Sequence, residues 1–136
     1  MKEIRVLSPV GMLGYGFPAE SFRKGLEKKP HVIAADAGST DAGPHKLGAG
    51  VGIVSKEATK KDLTLMLTAG YEHKIPVIIG SAGGSGAEIH LNWTLEIVNE
   101  ISKVSPGHMP KTTPRLKKMR KRTSVQARYI KARSPP

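Results

Sequence analysis

Three short apolar runs punctuate the chain, Ile4-Arg5-Val6-Leu7, Val32-Ile33-Ala34-Ala35 and Pro76-Val77-Ile78-Ile79. Each is too short for a buried helix and rich in β-formers, and each runs into a glycine-rich stretch. That pattern predicts buried parallel strands with loops at their carboxyl ends. Between the runs the apolar positions recur with helical spacing. Phe22 and Leu26 share a face behind Pro18 and Glu20, and Lys28-Lys29-Pro30 closes that helix. Leu63, Met66, Leu67 and Tyr71 form one stripe of a second helix, with Ser55 or Thr59 as its cap and Glu57 or Asp62 in its first turn. Leu65 lies off that stripe, so more than half the girth of this helix is expected to be buried. Leu91, Leu95 and Val98 mark a last helix up to about Lys103.

The resulting order, β-α-β-α-β-α, predicts an α/β fold with a three-layer, Rossmann-like parallel sheet and right-handed crossovers. A strand order of 2-1-3 would open a crevice between strands 1 and 3, at a topological switch point. A simple 1-2-3 order would make the middle loop central instead. The hydrophobic pattern is compatible with both.

The loops carry the candidate chemistry. GMLGYGF, Gly11 to Phe17, has the glycines of a phosphate loop without GxGxxG or GxxxxGK[ST] spacing, so a tight strand-to-helix turn competes with anion contact through Gly11 and Gly14. DAGSTDAGPH, Asp36 to His45, is the strongest signal. Asp36 follows its strand directly, Ser39 and Thr40 add hydroxyls, and Asp41 adds a second carboxylate. Gly38 and Gly43 would admit a ligand close to the backbone. Such groups suit sugar or alcohol hydroxyls, a hard cation such as magnesium, or proton transfer, with Asp36, Asp41 and His45 as the candidate catalytic set. The competing reading is a polar loop of Asx-turns. DAGST also has the look of the sugar-kinase and actin-like phosphate loop, but that loop joins antiparallel hairpin strands, which this pattern does not offer.

GSAGGSG, Gly80 to Gly86, can form an anion nest from backbone N–H groups, with Ser81, Gly83 and Gly84 as binding residues and Ser85 as a further donor. A plain turn is the alternative. His45 and His90 stand near these loops as acid/base or metal-ligand candidates, whereas His31, His73 and His108 read as surface residues. Trp93, the only tryptophan, reads as packing.

Charge changes the picture along the chain. The net charge of +11 suggests nucleic-acid binding, yet residues 1–102 hold 11 basic and 11 acidic residues. Residues 103–136 hold the other 11 Lys and Arg and no acid. Two parts follow, an α/β domain over residues 1–103 and a basic, disordered tail over 104–136 containing RLKKMRKR, Arg115 to Arg122. The tail would touch phosphates non-specifically, and its single tyrosine offers no stacking platform. The chain has no cysteine, which excludes disulfides and suits a reducing cytoplasm. Neither a signal peptide nor a membrane span is expected from the apolar runs.

Taken together, SPVGMLGYGFPAESF, VIAADAGSTDAGPHKLGAG and PVIIGSAGGSGAEIHLNWTLEIV resemble the N-terminal region of the acyclic terpene utilisation (AtuA-like) family over residues 3–102. Members of that family are longer α/β proteins linked to breakdown of acyclic terpenes such as citronellol and geraniol. The resemblance implies a catabolic protein whose crevice lies at Gly11, Gly14, Asp36, Ser39, Thr40, Asp41, Ser81, Gly83 and Gly84, and it assigns none of them a catalytic role. Where the family continues with further strands, this chain turns basic and proline-rich, as a truncated or frameshifted member would. The expected function is binding of a small anionic or hydroxylated metabolite of phosphate, carboxylate or acyl-CoA type. The cofactor and any metal are left open. Self-association through an open sheet edge is expected, and the alternative function is nucleic-acid association through the tail.

Overall fold

A computed structural model describes residues 3–38, 43–104 and 130–132. The elements are β1 (Val6–Leu7), α1 (Ala19–Glu27), β2 (Val32–Asp36), α2 (Gly43–Ala49), α3 (Lys56–Glu72), β3 (Val77–Gly80), α4 (Glu88–Val104) and β4 (Ile130–Ala132). The fold is mixed α/β, with three parallel strands in the order β1-β2-β3. The simple order therefore holds, and the loop after β2 is the central one. β4 pairs antiparallel with β3, Ile79 opposite Ile130, so these three residues depart from the expected structureless tail. The remainder of that tail, 105–129 and 133–136, lies outside the described residues.

Strand order also fixes the layers. Each new strand is added on the same side of the last, and two right-handed crossovers in one direction place their helices on one face. Ile33 and Ala35 of β2 and Val77 and Ile79 of β3 share that face and are buried. They form one core with Phe22 and Leu26 of α1, Leu63, Met66 and Leu67 of α3, and Ile97, Val98 and Ile101 of α4. Val6, Val32, Ala34 and Ile78 alternate to the other face and stay exposed or half-buried. The packed core thus has two layers, where three were expected.

The helices begin and end for local reasons. Pro18 precedes α1 with φ fixed at −65°, and Glu20 sits at the positive end of its dipole. The ring of Phe17 packs on Phe22 at 5.1 Å between centroids. Ser55, not Thr59, caps α3, its Oγ accepting from the Ala58 N–H at 3.1 Å. The Thr59 hydroxyl is buried inside α3 without a partner among the described residues. α2 was expected as loop. Pro44 in its first turn and Gly50 at φ +67 behind its end are ordinary helix boundaries, which three glycines in eight residues obscured.

One ion cluster ties α3 to α4. Lys56 and Lys60 both donate to the Glu100 carboxylate, at 2.5 and 2.9 Å. The Lys56 and Lys60 hydrogen bonds hold the Glu100 carboxyl down to about 2, and Glu100 in turn raises the Lys56 ammonium. A lowered carboxyl stabilises the fold above its unfolded value, 4.5, and loses that contribution as pH falls toward 2. All three side chains are more than one-third exposed, so the effect is small and screened by salt. Glu100→Gln should lower Tm slightly at pH 7, and thermal melts of the two proteins should converge near pH 2.

Candidate functional site

The three glycine loops meet at the carboxyl edge of the sheet through backbone contacts. The Leu13 N–H donates to the Asp36 carbonyl at 2.7 Å, which seats the first loop on the end of β2. The Ala37 N–H donates to the Gly80 carbonyl at 2.9 Å, which joins the second loop to the third. Gly38 is the tightest joint. A Cβ there would stand 2.4 Å from the Gly84 carbonyl oxygen and 2.4 Å from Ser81 Cβ. No side chain fits, so the residue type sets how closely the loops approach.

Asp36 is exposed at this edge. Its carboxylate lies over Gly80, where an added Cβ would come within 3.0 Å of Oδ1. Ser81 follows at once, half-buried. Ser81 and Ala82 both take left-handed φ values, +52° and +37°, and Gly83 continues at +89°. Two successive non-glycine residues there are costly, of order 1–3 kcal/mol each, and persist only where surrounding structure imposes them. The surroundings are visible. Gly83 is wedged under Trp93 and Thr94, the Gly84 and Gly86 N–H groups both donate to the Ser81 carbonyl, and Ala82 is fully buried with Leu91 and Leu95. Trp93 is packing, as expected, and Gly52 also lies against its ring.

The first loop is held from beneath. The Asp62 carboxylate, on α3 and 1% exposed, accepts from the Gly14 N–H at 2.8 Å and the Gly16 N–H at 3.0 Å, both through Oδ2. Gly14 and Gly16 have φ of +98° and +79°, and the N–H groups of both, on either side of Tyr15, reach one oxygen. Asp62 is therefore no first-turn acid but the anchor of this loop. A buried carboxylate already bonds the loop here, so this loop is the one least suited to an anion. Among the described residues nothing stands within 4 Å of a Cβ built on Gly11.

His90 is, with His45, one of the two histidines that the sequence offers as an acid/base or metal-ligand candidate. It is 1% exposed, with Nδ1 at 3.1 Å from Ser85 Oγ and Nε2 at 3.3 Å from the Val51 carbonyl oxygen. Gly84 packs flat on its ring, where a Cβ would clash at 2.8 Å.

Of the expected site residues, the structure brings Asp36, Gly38, Ser81, Gly83 and Gly84 to one edge and ties Gly14 to Asp62. His45 is exposed on α2. Ser39, Thr40 and Asp41 lie outside the described residues, and with them the Asp41–His45 pairing. Among the described residues no group of three His, Asp or Glu side chains is arranged to hold a metal ion, and no helix is long and apolar enough to cross a membrane. No family model, curated protein or solved structure matches the chain.

Proposed function

We propose that the carboxyl-edge crevice binds a small anionic or hydroxylated metabolite of phosphate, carboxylate or acyl-CoA type. The observation that carries this reading is the strained Ser81-Ala82-Gly83 turn directly after β3. Backbone held in such a conformation clusters at ligand clamps. The Ala82, Gly84 and Gly86 N–H groups turn inward to the Gly80 and Ser81 carbonyls. Those of Ser81 and Gly83, which meet no acceptor among the described residues, suit an anion. The exposed Asp36 carboxylate stands at the same edge, ready to accept from a ligand hydroxyl. The resemblance to acyclic terpene utilisation proteins agrees with a catabolic ligand of this size, and membership of that family is part of the proposal.

Thermal melts of the full chain with inorganic phosphate, acetyl-CoA or magnesium chloride test it. A ligand at a hundred times its Kd adds about 2.7 kcal/mol, or roughly 10 °C in Tm for a domain of this size. One anionic class should raise the midpoint, and Asp36→Ala should remove most of the response to hydroxylated ligands without unfolding the protein. A midpoint unmoved by every ligand contradicts the reading.

The alternative, nucleic-acid association, rests on the segregation of basic residues into 103–136. Replacing Arg115, Lys117, Lys118 and Arg120 by glutamine tests it without removing β4. Loss of salt-sensitive RNA binding with an unchanged melt would favour this alternative.

A further inference from the structure

We infer that Ser85 and His90 form a nucleophile–base pair, giving this edge a reactive hydroxyl for acyl transfer from esters or thioesters. Ser85 is exposed in the third glycine loop, and His90 is buried in the first turn of α4. The hydrogen bonds assign the imidazole its tautomer. The Val51 carbonyl at 3.3 Å can only accept, so Nε2 carries the proton. Nδ1 is then an acceptor, and it faces both the Ser85 hydroxyl at 3.1 Å and the Ser85 N–H at 3.5 Å. Nucleophile, base and orienting acceptor thus stand in series, with a backbone carbonyl in the place of the usual carboxylate.

The surroundings hold this series in place. Gly84 lies on one side of the ring and admits no Cβ. The Val51 segment is fixed by the Lys46 ammonium, which donates to the Ile53 carbonyl at 2.9 Å. The Ala87 N–H donates to Ser85 Oγ at 3.3 Å, a contact that strengthens as the oxygen gains negative charge. The positive end of the α4 dipole lies beside it.

The step balances with water as co-reactant. Ser85 Oγ attacks the acyl carbonyl carbon while its proton passes to His90 Nδ1. The bond to the leaving alcohol or thiol breaks, and the leaving group takes that proton, which gives acyl-Ser85. Water then attacks the acyl group with His90 as base, its hydrogen returns to Ser85 Oγ, and a carboxylic acid departs.

A serine that merely caps α4 would share the Ala87 contact without being activated, and the test separates the two. The full chain is treated with a fluorophosphonate probe and the adduct is located by mass spectrometry. Labelling at Ser85, lost in His90→Asn with an unchanged melt, is expected. Absence of a Ser85 adduct on the native chain overturns the proposal. If His90→Asn does not fold, the cysteine-free sequence allows a second measurement. Ser85→Cys and the exposed helical control Ser21→Cys each carry one thiol, and their iodoacetamide alkylation rates at pH 7 are compared. A paired imidazole should accelerate Ser85→Cys about tenfold or more, and equal rates overturn the proposal.

Discussion

Replacing Asp62 by alanine should release the first glycine loop and cost about 3 kcal/mol of stability, measured by urea unfolding. The carboxylate is 1% exposed and takes two backbone N–H groups, from Gly14 and Gly16, on one oxygen. Hydrogen bonds to a charged group contribute about 1.5–3 kcal/mol each, and water reaching the freed loop recovers part of that loss. Asp62→Asn keeps an acceptor at the same place, so it should cost only about 1 kcal/mol. An alanine variant as stable as the native chain would show that the loop is held by its own turns. The distinction bears on function because the first loop seats on the Asp36 carbonyl through Leu13. A freed loop should therefore weaken ligand binding at Asp36 as well as stability.

Gly38→Ala should be comparably severe for a different reason. The added Cβ meets a backbone carbonyl, that of Gly84, and the Cβ of Ser81, neither of which can swing aside as a flexible side-chain end would. Overpacking of this kind costs about 1–3 kcal/mol, a fall of roughly 5–20 °C in Tm for a domain of this size. Gly48→Ala provides the control. Among the described residues nothing stands within 4 Å of its Cβ and it lies within α2, so alanine should stabilise by about 0.5–1 kcal/mol through helix propensity. Calorimetry of the two variants checks both. A harmless Gly38→Ala would mean that the second and third loops do not touch, and the shared crevice would then be lost with them.

The strands and the three long helices were legible because their signals are local. Ile33 and Ala35 alternate with Val32 and Ala34 along β2, and Leu63, Met66 and Leu67 mark the inner face of α3. Strand order was not legible, because right-handed crossovers permit either direction and β1 pairs through only two residues. Of the two candidate first-turn acids Glu57 holds that place, and the role of Asp62 was not legible because its partners lie more than forty residues away. A signal was nevertheless present. Asp62 falls on the buried stripe with Thr59 and Met66, and no cation stands three or four residues from it on either side. A carboxylate so placed calls for backbone donors. His90 offers the same lesson, since Thr94, Ile97 and Ile101 continue its face inward. The strain at Ser81 and Ala82 left no sequence trace, because neither residue type demands a left-handed backbone.

As proposed above, the β2 and β3 loops form one anion-binding edge. Backbone amide resonances of the isotope-labelled full chain, followed during titration with inorganic phosphate and then acetyl-CoA, test it most directly. Saturable shifts are expected to concentrate at Gly38, Ser81 and Gly83, with Gly14 and Gly16 moving less because Asp62 already occupies their N–H groups. Shifts confined to residues 105–129, or scattered over exposed lysines without saturation, would contradict it and place the anion affinity in the basic segment.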